Sequence, residues 1–305
     1  MDTTRFQIGG ETRNALDATS RQIANRIYEG VDLEALHAAE INAPPFNGDV
    51  WAWVRARHRA RNYRGINIGD FISFEVEGML SDSGATLAIR ATLAGINIYD
   101  TSGMDFINTA PFHVMRQWNL VNYNNGLGLP GGSSWAAENV PWIMSDIRAW
   151  LNGLQMDVPN STGANPPTTT VDYAETGLWP HLPATLRAVI VVKMHHSLGS
   201  RFSPGILLTE NNSFSITGDD RLWLPSEVEI LGTPVLGDAQ WGMQNHVQYP
   251  LFNSRSALRQ RWADIWTLTP VRGNSQEIVS INGNGVPLAR PAADRLRPLI
   301  CFRIA

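Results

Sequence analysis

The sequence predicts an α+β fold: a helical N-terminal arm over residues 1–64, then a mixed-sheet body over 65–305 with long loops. Three observations carry this. Apolar residues at helical spacing are concentrated before residue 40, β-branched and aromatic runs take over at Ile66, and one well-capped helix interrupts the sheet-rich part. A chain of 305 residues suits one large domain or two small ones. Hydrophobic residues make up 43% and charged residues 17%, the latter below the roughly 25% of an average soluble domain. The chain therefore carries the apolar surface of a sizeable core.

Leu16, Ile23, Ile27, Leu33 and Leu36 predict two short helices between residues 12 and 40, broken at Gly30 and stopped by Ala43-Pro44-Pro45. A segment with Trp51, Trp53 and Val54 then runs into Arg55, Arg57, Arg59, Arg61 and Arg64, and completes the arm. From Ile66, INIGDFISFEVEG and TLAIRATLAGINIYD read as two or three strands punctuated by Gly69, Gly78, Gly84 and Gly95. Asn-Asn-Gly and Pro-Gly-Gly keep the stretch PFHVMRQWNLVNYNNGLGLPGGSSW a loop. The next helix has Ser145 as N-cap, Asp146 in the first turn, an apolar stripe of Ile147, Trp150 and Leu151, and Gly153 beyond its end. Residues 182–194 begin helical and become a buried strand at 189–192. A further helix starts at Ser226, with Glu229 three residues on completing a capping box. The last third predicts a helix over 254–262 and three strands separated by Gly-Asn turns.

Several classes of function are disfavoured by composition. A net charge of -4 argues against a phosphate backbone as main partner. No apolar run approaches the length of a membrane span, and the first twenty residues lack a signal peptide's apolar stretch. The lone Cys301, inside Leu299-Ile300-Cys301-Phe302, excludes an intrachain disulfide and reads as a buried inert thiol. No G-x-S-x-G elbow, Walker A loop, G-x-G-x-x-G turn or H-E-x-x-H helix is present. His195-His196 could supply a general base or a metal ligand, but as strand neighbours they point to opposite faces and cannot easily serve one metal together. Asp219, Asp220, Glu227 and Glu229 offer oxygen ligands for Ca²⁺, but turn and helix-cap duties explain them without an ion. The expectation is no catalytic residue, no metal and no cofactor.

Two groups of residues are candidates for recognition. Trp51 and Trp53 beside Arg55, Arg57, Arg59 and Arg61 have the composition of a protein interface, and predict a homo-oligomer or a particle-bound form. Eleven tryptophans are present, each bringing about 150–250 Å² of buriable surface. Among the late aromatics, Trp241, Tyr249, Trp262 and Trp266, with Arg272 and Asn274, are the candidates for stacking on and hydrogen-bonding to a sugar; burial in the core is the competing reading for each ring.

The succession AGINIYD, PFHVM, SDIRAWLNG, LPATLRAVIVVKM, DDRLWLPSEVEILG, QYPLF, WTLTP and LRPLICFRIA resembles an uncharacterised domain family common in phages and prophages of Gram-positive bacteria. In that family a W-L-N helix, a D-K-L-W-L-P-S-E-x-E segment, a W-x-x-x-P strand and a terminal R-P strand recur in this order. The match covers about residues 66–305. Arg221 replaces the family's Lys, and Leu268-Thr269-Pro270 replaces its Ser-Pro or Arg-Ser-Pro. The terminal pattern is also similar to C-type-lectin-like domains and the related formylglycine-generating-enzyme fold. The resemblance implies a lectin-like α+β scaffold and a non-enzymatic virion structural protein, located in the virion and assembled in the bacterial host cytoplasm: capsid decoration, head fibre or tail component. Its partners would be other phage capsid or tail proteins and further copies of itself. The alternative is an adhesin at the tail tip that binds a host-surface carbohydrate or receptor. A third reading, a cell-wall hydrolase, has only His195-His196 and the acidic pairs behind it.

Overall fold

The computed structural model describes residues 5–8, 11–14, 30–99, 102–109, 112–118, 142, 145–159, 168–197, 202–203, 206–207, 216–237, 246–254, 256–259, 263–271 and 277–305. The architecture is mixed α and β, mostly sheet with few and short helices, in agreement with the α+β expectation. Eighteen strands are described: β1 (Arg5–Ile8), β2 (Glu11–Asn14), β3 (Phe71–Leu80), β4 (Thr86–Ile96), β5 (Met104–Asn108), β6 (Arg116–Gln117), β7 (Gln155–Pro159), β8 (Thr168–Asp172) and β9 (Ile190–Val191). The second half adds β10 (Lys193–Ser197), β11 (Phe202–Ser203), β12 (Ile206–Leu207), β13 (Ile216–Asp220), β14 (Ile265–Pro270), β15 (Glu277–Ile281), β16 (Pro287–Pro291), β17 (Arg295–Pro298) and β18 (Cys301–Ile304).

Two five-stranded sheets organise the core. The first has the order β3-β4-β5-β18-β9 and is antiparallel throughout, so the last strand of the chain is inserted between two elements drawn from early and middle sequence. Its register breaks between Glu75 and Leu80 and again between Leu93 and Gly95, and such irregularities bend a sheet and increase its twist. The second sheet, β16-β15-β14-β17-β6, contains one parallel pair, β14 with β17. Two-stranded ribbons β1-β2, β7-β8, β10-β13 and β11-β12 complete the described strands.

The N-terminal segment differs most from expectation. Residues 50–59 form the longest described helix, Val50–Arg59, with the Asp49 carboxylate accepting from the Trp51 and Ala52 backbone N–H groups. Its Trp-Ala-Trp and Arg-Ala-Arg alternations mask a 3.6-residue period, visible once Val50, Trp51, Trp53, Val54 and His58 are seen to be the buried face. Trp51 stands edge-on to Phe74, Phe106 and Phe302, at 5.7, 5.9 and 5.8 Å between ring centroids. Phe106 and Phe302 stack face to face from paired strands β5 and β18. Trp51 and Trp53 are 3% and 0% exposed, so the expected interface role of these two rings is corrected: they are core.

The expected boundary at residue 64 is corrected for the same reason. Leu33, Ile41, Val50 and Val54 belong to one continuous buried cluster with Ile72, Leu93 and Ile304. The backbone joins the same way: Phe71 N–H donates to the Val31 carbonyl at 2.9 Å, and the buried Asp70 carboxylate accepts from Val31 N and Asn67 N at 3.1 and 2.8 Å. The stretch from Gly30 onward is a layer of the domain. Of the two short helices expected on either side of Gly30, the second stands as the pair Leu33–Leu36 and Ala38–Asn42, whereas Thr12–Asn14, expected to open the first, is strand β2. The positions Leu16, Ile23 and Ile27 lie outside the described residues.

Elsewhere local chemistry sets the elements as the sequence indicates. The Ser145 hydroxyl accepts from Arg148 N, and Gly153 ends the helix Asp146–Asn152 in the left-handed conformation at φ 61°. There a Cβ would also press on the Pro180 ring and the Tyr173 carbonyl, at 3.1 and 3.3 Å. The Ser226–Glu229 capping box is formed in both directions. The C-terminal helix starts earlier than expected, as Pro250–Ser254 followed by a 3-10 turn at Ser256–Arg259. Five strands, β14 to β18, stand where three were expected, because Pro287, Pro291 and Pro298 punctuate runs that read as continuous.

Trp51→Ala should lower the stability of the full chain by about 3–5 kcal/mol, the usual cost of truncating a buried aromatic. Thermal or urea unfolding checks this, and a chain begun at Ile66 should fail to fold cooperatively.

Candidate functional site

Six of the short motifs named above contact or bond to one segment, Asp220–Glu229, which itself lies within the motif DDRLWLPSEVEILG. Asn152, the last residue of the W-L-N helix, accepts from Arg221 N and Leu222 N at 2.9 Å each through Oδ1 and donates to the Leu222 carbonyl at 2.8 Å through Nδ2. Arg148 Nε and Trp142 Nε1 each donate to the buried Asp220 carboxylate at 2.6 Å, one to each oxygen. Trp223 and Cys301 exchange both backbone hydrogen bonds, at 3.0 and 2.8 Å. Leu268 N donates to the Pro225 carbonyl at 3.1 Å, and Glu227 N to Thr269 Oγ1 at 2.9 Å. In this way the W-L-N helix, the W-T-L-T-P strand and the terminal strand are all fastened to the same ten residues.

At the end of that segment lies a buried ionic and aromatic cluster. Lys193, the chain's one lysine, places Nζ 3.3 Å from Glu229 Oε1. The ammonium also lies 4.3 Å from the Tyr99 ring centroid, 4.5 Å from Trp223 and 5.9 Å from Tyr249. Ring faces carry negative charge density, so three aromatics and one carboxylate together replace the water that Lys193 gives up. Tyr99 donates its hydroxyl proton to Glu229 Oε1, while Oε2 accepts from Ser226 N at 2.8 Å. Behind Glu229, Arg303 pairs with Asp105 through two bonds of 2.7 and 2.8 Å. Gly103 is needed here, since a Cβ would come within 2.5 Å of the Arg303 side chain.

These charges set each other's protonation. Burial pushes the Glu229 carboxyl up, but Lys193, then His246, the Tyr99 hydroxyl and the Ser226 N–H outweigh it, leaving it below the ordinary 4.5. Burial, then the charge of Glu229, pushes the Tyr99 and Tyr249 hydroxyls up. The same two causes raise the Cys301 thiol, which is fully buried. Glu229 is therefore held as a carboxylate, while the Tyr99 and Tyr249 phenols and the Cys301 thiol keep their protons.

No protein-family model, curated protein or solved structure matches this chain. Among the described residues no group of three His, Cys, Asp or Glu is arranged to hold a metal ion. Of the four acids considered for Ca²⁺, Asp220 and Glu229 take the protein donors given above, and Glu227 accepts from Leu236 N and Gly237 N at 3.0 and 2.8 Å. The Asp219 side chain lies outside the described residues, as do those of His195 and His196, whose backbone runs in β10 opposite β13. No helix among the described residues is long and apolar enough to cross a membrane.

The expected sugar platform is corrected in its described part. Tyr249 and Trp266 are both fully buried, Tyr249 beside Lys193 and Trp266 with Nε1 donating to the Arg116 carbonyl at 2.8 Å. Neither presents a ring face to a ligand. Trp241, Trp262, Arg272 and Asn274 lie outside the described residues. In the arginine run, Arg57 covers the Trp53 ring at 5.3 Å, donates to the Arg64 carbonyl and lies 3.7 Å from Glu40. Arg55 is half-buried, and Arg59, Arg61 and Arg64 are exposed. Sequence reasoning missed the Lys193 cluster, whose members are spread from Tyr99 to Arg303; the signal available was the chain's one lysine next to a β-branched run.

Lys193→Met should destabilise by about 3–5 kcal/mol, because it strands the Glu229 charge, and Lys193→Met with Glu229→Gln should recover much of the loss in a double-mutant cycle by denaturant titration. Since the folded carboxyl titrates below its unfolded value, its contribution is complete above about pH 4.5 and is lost as pH falls through the folded value. Unfolding midpoints measured from pH 7 to pH 3 should show that acid loss in the wild type and a smaller one in the double variant.

Proposed function

We propose that this chain is a bacteriophage virion structural protein, a capsid decoration, head fibre or tail component, whose frame is of C-type-lectin-like kind and presents its long loops outward. The observation that supports the reading is the convergence on Asp220–Glu229. Tyr99 of AGINIYD, Asn152 of SDIRAWLNG, Lys193 of LPATLRAVIVVKM, Tyr249 of QYPLF, Thr269 of WTLTP and Cys301 of LRPLICFRIA each contact or bond to that segment. PFHVM is one step removed, through Phe112 against Trp150 at 6.4 Å. A motif order that resembles a phage domain family is thus explained residue by residue as the specification of a frame. Motif residues hold backbone and each other, which is architecture; recognition is left to the loops and the surface.

The surface through which such a protein would meet its neighbours is the arginine end of the helix Val50–Arg59. Arg59, Arg61 and Arg64 are exposed there, and with the tryptophans buried, attraction to an acidic face of a capsid or tail subunit, or of another copy of this -4 chain, replaces an aromatic anchor.

Peptides of this chain should be found by mass spectrometry in purified particles from a culture carrying the gene, at a copy number fixed per particle. Their absence from particles that contain the major capsid protein sinks the virion reading.

A further inference from the structure

Outside the motif frame, three side chains that no sequence spacing connects form a relay. His58, in the last turn of the helix Val50–Arg59, is 4% exposed. Its Nε2 lies 2.9 Å from Ser102 Oγ, and its Nδ1 lies 2.9 Å from the Tyr63 hydroxyl. Ser102 is exposed, just ahead of β5. An accessible hydroxyl is thus bonded to a buried imidazole whose second nitrogen is held by a third group, which is the arrangement that activates a serine for attack. In the tautomer with the proton on Nδ1, donated to the Tyr63 oxygen, Nε2 is free to accept the Ser102 proton.

The surroundings keep that base ready and make the place attractive to anions. Burial, followed by the charges of Arg303, Arg59 and Arg61, holds the imidazole below its ordinary 6.5, so it is neutral at pH 7. The charged and titratable groups around it are Tyr63 from the following turn, Arg59 and Arg61 from its own helix end, and Arg303 from β18 with its partner Asp105 from β5. Arg303 is engaged by Asp105, whereas Arg59 and Arg61 are exposed. Two exposed arginines whose charge reaches His58 favour a substrate that carries negative charge.

The geometry points to Ser102 as a nucleophile, His58 as its general base and Tyr63 as the positioning residue, acting on carboxylic esters that bear an anionic group. In the forward step Oγ bonds to the ester carbonyl carbon as its proton passes to His58 Nε2. The carbonyl–alkoxy bond then breaks, and the same proton returns to the departing alkoxide. Water, deprotonated by His58, attacks the acyl-serine; the Oγ–carbonyl bond breaks, the acid leaves, and the proton restores the Ser102 hydroxyl. This goes beyond the structural reading and does not rest on it, because none of the three residues belongs to the motif frame.

The test uses the full chain with two chromogenic probes, p-nitrophenyl acetate and the mono-p-nitrophenyl ester of succinate. The expected result is a burst of one p-nitrophenolate per chain, faster with the succinate ester, with the acyl group mapped to the Ser102 peptide. Ser102→Ala, at an exposed position that leaves the fold intact, should abolish the burst. His58→Gln should slow acylation by about 10²–10⁴-fold, and Tyr63→Phe should slow it and shift the acid limb of its pH profile without raising KM. In the wild type that limb should lie below about pH 6.5, since the neutral base persists to lower pH than in free imidazole. Arg59→Gln with Arg61→Gln should raise KM for the succinate ester more than for the acetate ester. Absence of a burst in the wild type, an equal burst in Ser102→Ala, or acylation of a different residue overturns the inference.

Discussion

The amide of Asn152 occupies the point on which the rest of the structure depends. One side chain at a helix end satisfies two backbone donors and one acceptor of Arg221 and Leu222, the two bonds to Leu222 buried and the one to Arg221 part-buried. A buried backbone group without a partner costs about 1–3 kcal/mol, so an apolar residue here would take the partner from both buried Leu222 groups at once. An aspartate would supply the acceptor but not the Nδ2 donor, and would bury a charge. Only an amide answers both needs. From this anchor the chain passes straight into the Trp223 bridge with Cys301, so Asn152 also sets where the final strand of the first sheet meets its crossover.

Beyond that anchor, the interior is unusually polar for a protein with few charges. Asp70, Asp105, Asp220, Glu227 and Glu229 are all 1% exposed or less, and each has donors at hydrogen-bond distance. Burying a charge is unfavourable, and pairing it roughly offsets the loss; the gain is in specificity, because a half-made network costs more than an apolar core. With helices of four to ten residues, too short to persist alone, and strands drawn from distant sequence, this chain has weak local reasons to choose its fold. Charge pairs that are satisfied only when Tyr99, Lys193, Glu229, Asp105 and Arg303 come together supply the missing long-range reason.

What the sequence made legible was local. Ser145, Gly153, Ser226 and Glu229 announce their helix ends because caps are properties of adjacent residues. The break in texture at Ile66 marks a real change from helix to sheet, yet it is a change of element within one core. No local pattern can show whether Trp51 faces a partner or Phe302, since both are buried apolar contacts for the same face of the same helix. Likewise Tyr249 and Trp266 have the composition of a stacking platform, and their burial is decided by strands from elsewhere. Long-range pairs such as Arg303 with Asp105, 198 residues apart, leave no periodic trace.

The division of labour in the fold follows from the same facts. Side chains that reach Asp220–Glu229 are buried against it and bonded to it, so a change at one of them disturbs the frame before it can alter recognition. Freedom to diversify is left to positions that hold nothing else. The end of the helix Val50–Arg59 is such a place: His58 is anchored through its ring by Tyr63 and Ser102, outside the motif frame, while Arg59 and Arg61 lie at the surface. A rigid element that ends in an exposed, positively charged corner is positioned by the core without being part of it, and that is where chemistry or a partner can be added at little cost to the fold.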